Sequence, residues 1–292
     1  MLKSDDMTPM SLKEFENFRD LIYRHSSIFF TEKKKAFLES KVWERMQALN
    51  LPSYEVYYRL LVEENRPGQE LSLLMEGLVI RETSFFRIKG HFLALERLIF
   101  PELIARKLQE TRSRSWPPKP MIRIWSAVCS TGEEPYSIAM SLLEVLRHPE
   151  GWDIEILATD ISNFALNLAR RGVYSKDKVK KLEPRYLKNY FEMEGEAYKV
   201  VDRVQNLVRF QYLNLADLGH FRSMSYDLIF CRNVLIYFDR KAQSLLMDRV
   251  TQLLLPGGYL FLGDAEPLHT FPKVASKFEF IEAEDAMVYR KK

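Results

Sequence analysis

Two adjacent glutamates, Glu133 and Glu134, stand behind a turn that follows a short apolar run, and Asp160 closes the next such run. Met121 to Ser126 reads as a strand, Ala127 to Gly132 as a tight turn, and the residues from Glu133 onward as the start of a helix. The carboxylates therefore collect at the carboxyl edge of a parallel sheet, where open α/β sheets bind ligands. Only Gly132 fits a G-x-G-x-x-G spacing, and acidic side chains occupy the helix start that a phosphate would need, so a pyrophosphate site is disfavoured. Carboxylates suit instead the ribose hydroxyls or the amino group of a small nucleoside cofactor, with Asp160 placed for the ribose. A glutamate pair at a helix start is explained by the helix dipole alone. Asp160, at the end of the neighbouring strand IEILATD, is what points to an adenosine site.

Positioning these residues requires a sheet, and the texture after Met121 supplies one. Short apolar runs (MIRIWSA, IEILATD, YDLIFCR, GGYLFLGD) alternate with helical stretches, the signature of crossover units around a parallel sheet. The fold class is α/β: a Rossmann-like sheet over 121–292 with a small antiparallel β-subdomain at about 190–210, preceded by an all-helical domain over 1–90. A connecting helix and linker fill 91–120. The helical domain opens at Ser11-Leu12-Lys13-Glu14, a capping-box sequence, with Leu12, Phe15, Phe18 and Ile22 at helical spacing. Further helices are predicted after Thr31, around 54–64, at 71–78 and over 91–110, while 111–120 (TRSRSWPPKP) reads as irregular linker. The run FEFIEAEDAMVYR predicts a closing hairpin.

At 292 residues the chain has room for about two domains. Its 47% hydrophobic and 28% charged content excludes disorder, and a net charge of +3 gives no ground for a nucleic-acid partner. Cys129 and Cys231 lie in apolar runs about a hundred residues apart, which fits buried thiols in a reducing cytoplasm and not a disulfide or metal site. The N-terminus has no signal-peptide core and no apolar run nears the ~20 residues of a membrane span, so a cytoplasmic protein without membrane insertion is predicted.

Four segments, RETSFFR (81–87), WSAVCSTGEEPYSIAM (125–140), ATDIS (158–162) and FCRNVLIYFD (230–239), resemble the CheR family of chemotaxis receptor methyltransferases. The resemblance spans nearly the whole chain. It implies a class I methyltransferase that uses S-adenosylmethionine to convert receptor glutamates to methyl esters, releasing S-adenosylhomocysteine, with no metal. It also implies residue roles. Thr83 and Arg87 match the family's first motif near the cofactor, whereas Arg81 stands where Asn is usual. Val128 occupies a position commonly Gly or Ala. Glu134 and Asp160 would hold the methionine amino group or the ribose, with Glu133 beside them. Asn214 and Leu215 would flank the adenine, and Cys231, Arg232 and Asn233 would complete the cofactor site, Asn233 also shaping its loop.

Methyl transfer from a sulfonium to a carboxylate is an in-line displacement. A glutamate of pKa about 4.3 is already ionised near neutral pH, so no general base is needed; desolvation and alignment remain. Arg87 is assigned to positioning the carboxylate and Tyr237 to orienting it, against the plainer readings of a surface ion pair and a core aromatic. Lys33, Lys34 and Lys35 form a basic helical run able to dock the acidic cytoplasmic methylation region of chemoreceptors. The connection around Gly195 carries Glu192, Glu194 and Glu196, a poor clamp for a receptor C-terminal pentapeptide, so independence of that tether is predicted. A methyltransferase for small molecules or nucleic acids, and a non-catalytic cofactor sensor, are the rivals. The first should lack the RETSFFR and FCRNVLIYFD pair; retention of Arg87, Asp160 and Tyr237 argues against the second.

Overall fold

The computed structural model describes residues 9–63, 69–79, 82–112, 119–220, 225–284 and 286–292. The chain forms two compact units, one of residues 1–80 with 236–243 and the other of 81–235 with 244–292. The boundary thus falls about ten residues before the predicted one, and 236–243 returns to the helical unit.

In the first unit α1 (Leu12–Ser26) is opened by the predicted capping box: Glu14 N donates to Ser11 Oγ at 3.2 Å and Ser11 N donates to the Glu14 carboxylate at 2.8 Å. Phe15, Phe18, Leu21 and Ile22 are buried on one face. α2 (Lys35–Ala48), α3 (Tyr54–Glu63) and α4 (Gln69–Leu78) are joined through one carboxylate. Arg45 reaches Glu70 in a two-pronged pair at 2.8 and 2.7 Å, and the Tyr57 hydroxyl donates to the same group at 2.8 Å. The returning segment is tied in by Phe29 N donating to Tyr237 O at 2.8 Å and by the Tyr23 hydroxyl donating to Asp239 at 2.9 Å. Lys33 and Lys34 lie exposed on a 3-10 turn ahead of α2 instead of on the helix itself, and Lys35 opens α2 with Glu39 at 3.5 Å.

The second unit begins with α5 (Lys89–Ala94), which passes through a π turn at Leu95–Ile99 into α6 (Phe100–Arg112). The single helix predicted here is therefore interrupted. Pro101 follows the wide turn, and a proline has no N–H to give the carbonyl four residues back. Of the predicted linker, 113–118 lies outside the described residues.

Among the described residues ten strands follow: β1 (Met121–Ser126), β2 (Asp153–Asp160), β3 (Val173–Ser175), β4 (Phe191–Glu194), β5 (Ala197–Val200), β6 (Val208–Tyr212), β7 (Tyr226–Cys231), β8 (Leu254–Leu262), β9 (Phe278–Ala283) and β10 (Ala286–Lys291). The main sheet has the order β6-β2-β1-β7-β8-β10-β9. Its first five strands are parallel; β10 runs antiparallel to β8 and pairs with β9 as the predicted hairpin. All six residues of β7 are buried, as a central parallel strand requires. Crossover helices α7 (Glu133–Val145) and α8 (Asn163–Arg171) follow β1 and β2. Strand order reverses between β1 and β7, which makes their carboxyl ends the ligand crevice expected of this topology.

The small antiparallel sheet has the order β3-β5-β4. The predicted span of 190–210 requires correction: β4 and β5 form the hairpin, but the third strand comes from 173–175, and Val208–Tyr212 is an edge strand of the main sheet paired with β2. Phe210 supplies the reason, since its ring meets the buried Tyr136 at 5.5 Å and anchors β6 to the main core. In chain order α9 (Lys176–Val179) follows β3, α10 (Pro184–Tyr190) precedes β4 and α11 (Asp202–Gln205) follows β5; α12 (Arg240–Leu253) and α13 (Pro272–Ala275) complete the helices described. Among the described residues no helix is long and apolar enough to cross a membrane.

Candidate functional site

The turn after β1 is held from both sides. Ala127 N donates to Phe230 O at 2.8 Å on β7, and Cys129 N donates to Thr159 O at 2.9 Å on β2. The turn uses two left-handed residues, Ser130 at φ 48° and Gly132 at φ 95°. At Gly132 a Cβ would lie 2.8 Å from Ala169 Cβ and 2.9 Å from the Tyr174 hydroxyl, which itself donates to Thr131 O at 2.7 Å. Both backbone and space therefore demand glycine there.

Asp160, 4% exposed, is fixed by two amides, Ser130 N at 2.8 Å and Ser162 N at 2.9 Å, one on each oxygen. Leu213 N donates to Asp160 O at 3.0 Å, which sets Asn214 and Leu215 next to it. Asn214 is buried and its Oδ1 accepts from Ala216 N at 3.1 Å; Leu215 is half-buried at the start of a 3-10 turn.

Glu134 and Arg232 form the centre. The Ser126 hydroxyl donates to Glu134 Oε1 at 2.7 Å, and Arg232 Nη1 donates to Oε2 at 3.0 Å. The Arg232 side chain, 2% exposed, also donates from Nη2 to Arg87 O at 2.8 Å. One buried guanidinium thus joins three of the four sequence motifs. Glu133 is fully buried: Thr131 Oγ1 donates to it at 2.6 Å and Lys178 at 2.8 Å, and Lys178 also reaches Thr83 O at 3.2 Å. Its contacts resemble those of a helix-start anchor.

Arg87 sits between two left-handed residues, Phe86 at φ 51° and Ile88 at φ 64°. For a bulky and a β-branched residue this costs about 1–3 kcal/mol each, and it persists only where neighbours enforce it. Phe86 N donates to Ser137 Oγ at 3.0 Å, and Arg87 Nη1 donates to Glu82 O at 2.7 Å. Phe85 is buried edge-on against Tyr174 and Phe191 at 4.8 and 5.3 Å, which makes it a core residue. Asn233, at φ 59°, donates its N–H to Glu266 Oε2 at 2.7 Å, while Leu235 N binds Oε1 at 2.7 Å and Gly263 N binds Oε2 at 3.1 Å. Burial pushes the thiols of Cys129 and Cys231 up, so both stay protonated and inert. Tyr237 belongs to the helical unit and Arg87 to the other; Arg81 lies outside the described residues.

Sequence reasoning missed Ser126, Lys178 and Glu266. Glu266 alone left a signal, an acidic residue in the loop after the strand GGYLFLGD, the same kind of position that singled out Asp160. Ser130 Oγ and Arg232 Nε are buried without a hydrogen-bond partner among the described residues. Fixed carboxylates beside an unsatisfied hydroxyl suit a ligand rich in neutral hydroxyls and bearing an ammonium, so the residues fit a nucleoside amino acid such as S-adenosylmethionine. Among the described residues no cluster of three or more His, Cys, Asp or Glu is placed to hold a metal ion.

Residues 81–286 match the family model described as CheR methyltransferase, SAM binding domain, and residues 13–79 match the CheR methyltransferase all-alpha domain. A chemotaxis protein methyltransferase of Borreliella burgdorferi is 35% identical over 258 residues, covering 87% of this chain and 88% of that protein. Chemotaxis protein methyltransferase 2 of Pseudomonas aeruginosa is 36% identical, covering 87% and 86%. The chemotaxis protein methyltransferase of Escherichia coli is 34% identical over 91% of this chain and 88% of its own length.

Proposed function

This chain belongs to the CheR methyltransferase family, and from that premise we propose how its residues divide the work of methylating a receptor glutamate. It is an S-adenosylmethionine-dependent protein-glutamate O-methyltransferase of chemotaxis, converting chemoreceptor glutamates to methyl esters. The observation that supports the division of roles is Arg232, whose buried guanidinium links Glu134 on α7 to the Arg87 carbonyl.

The bound cofactor supplies an electrophilic methyl group on a sulfonium. Asp160 holds the ribose hydroxyls, its orientation set by the Ser130 and Ser162 amides. Glu134 receives the methionine ammonium, and Asn214 and Leu215 border the base. Thr83, Cys231 and Asn233 complete the surround through backbone or side chain; Glu133 acts by anchoring α7. The acceptor carboxylate arrives ionised, so the protein needs to hold one oxygen in line and strip its water. Arg87 positions that carboxylate and Tyr237 orients it. A strong ion pair would blunt the nucleophile, which is why Arg87 acts by geometry first. The test is transfer of a radiolabelled methyl group to receptor cytoplasmic domains. The label should leave as methanol in mild base, and base-stable label would exclude a carboxyl ester.

Docking is assigned to the exposed Lys33 and Lys34 with Lys35 beside them, facing the acidic methylation region, and it needs no receptor C-terminal pentapeptide. In support, the β4–β5 connection is only Gly195-Glu196, with Glu192 and Glu194 on the strand before it. Replacing the three lysines by Glu should raise the receptor KM, more at low salt, without changing cofactor affinity. Removing the pentapeptide from the receptor should leave KM unchanged. A salt-independent, wild-type KM in the triple variant, or a large KM rise without the pentapeptide, would reverse these assignments.

A further inference from the structure

The left-handed conformations at Phe86 and Ile88 aim Arg87, and something must hold the Phe86 ring for that conformation to persist. The Phe86 ring meets Tyr186 on α10 at 4.1 Å and Phe92 on α5 at 5.0 Å. Tyr186 is itself immobilised. Its hydroxyl donates to Glu96, which the π turn presents, and Glu96 also accepts from Ser141 Oγ at 2.9 Å and from Arg185 Nη2 at 3.0 Å. The Arg185 guanidinium lies over the Tyr186 ring, 4.5 Å from its centroid. Arg185, Tyr186, Phe86 and Arg87 line one cavity of about 370 Å³. The network ends on Phe86, the residue preceding Arg87.

We infer that Tyr186 is a positioning residue for Arg87: its ring, locked by Glu96 and Arg185, props Phe86 in the left-handed conformation that directs the Arg87 guanidinium. A π turn is common at functional sites, and here it explains why Glu96 can reach Ser141 and Tyr186 together. The inference rests on the assignment of Arg87 to the acceptor carboxylate, and a mutant cycle separates the two. Tyr186→Leu removes the ring and should lower kcat for receptor methylation about 10- to 100-fold, the cost of misplacing a positioning group. Cofactor Kd should stay within about twofold, because the bonds of Asp160 and Glu134 do not involve this network. Tyr186→Phe keeps the ring and should stay within about threefold of wild-type kcat. In an Arg87→Ala background Tyr186→Leu should cost less than about twofold further, since a prop has no effect once its load is gone. An undiminished further loss in that background, or wild-type kcat for Tyr186→Leu, overturns the inference. Wild-type turnover by Arg87→Ala overturns the Arg87 assignment itself and the inference with it. Should Tyr186→Leu fail to fold, Phe86→Leu removes the other ring of the same contact and is read in the same cycle.

Discussion

Arg87→Ala should lower kcat for receptor methylation by about 100-fold, with cofactor affinity changed by less than about twofold. The expectation of a large and clean effect comes from how Arg87 is held. Its backbone carbonyl is fixed by Arg232 at 2.8 Å and the preceding N–H by Ser137 at 3.0 Å, so truncation leaves the loop in place and removes only the guanidinium. That guanidinium rests on the Glu82 carbonyl, a neutral acceptor that a carboxylate outcompetes, because the carboxylate brings an opposite charge and can accept from both prongs of the guanidinium. Since the acceptor is already ionised near neutral pH, the loss falls on alignment and not on a protonation step, and the deficit should not be recovered by raising pH. Arg87→Lys should recover only part of the rate, a point charge replacing a planar fork. Steady-state kinetics at saturating receptor and cofactor, with calorimetry for the cofactor, decide it. Wild-type kcat would return Arg87 to the status of a surface polar residue.

The parallel sheet was legible because its strands are buried on both faces and read as continuous apolar runs bounded by turns, and the same pattern placed Glu134 and Asp160 at its edge. What stayed hidden has particular physical causes. β6 is a five-residue edge strand of only partial burial, VRFQY, and local pattern cannot assign it between two sheets; Phe210 packing on Tyr136 decides it. The π turn ahead of Pro101 is a local distortion inside an otherwise ordinary helical periodicity. The 236–243 segment follows β7 in sequence but joins the helical unit through backbone bonds such as Phe29 N to Tyr237 O at 2.8 Å, which side-chain pattern does not encode. Within the site, Arg232 was expected to contribute, but its role as a bridge depends on which carbonyl lies 2.8 Å from Nη2. Glu266 and Lys178 act on backbone N–H and carbonyl groups, partners that no side-chain motif announces.

Glu134→Ala should destabilise the methyltransferase unit by about 3–5 kcal/mol, because it strands a guanidinium in the interior. Arg232 is 2% exposed at its side chain, Nε already has no partner among the described residues, and the remaining bond to the Arg87 carbonyl cannot balance a full charge. The Ser126 hydroxyl loses its acceptor in the same step. Glu134→Gln keeps a hydrogen-bonding amide in the same volume and should cost less than half as much. Replacing both members, Glu134→Leu with Arg232→Met, should regain most of the lost stability, since well-packed apolar pairs commonly match a buried ion pair. Cofactor binding and turnover should not return with it, because the carboxylate assigned to the ammonium and the tether on the Arg87 carbonyl are both gone. Denaturant unfolding and calorimetric titration of the same three variants measure the two quantities separately. Recovery of both together would show that the pair serves only the fold, whereas recovery of stability alone identifies a buried ion pair retained for what it positions and binds.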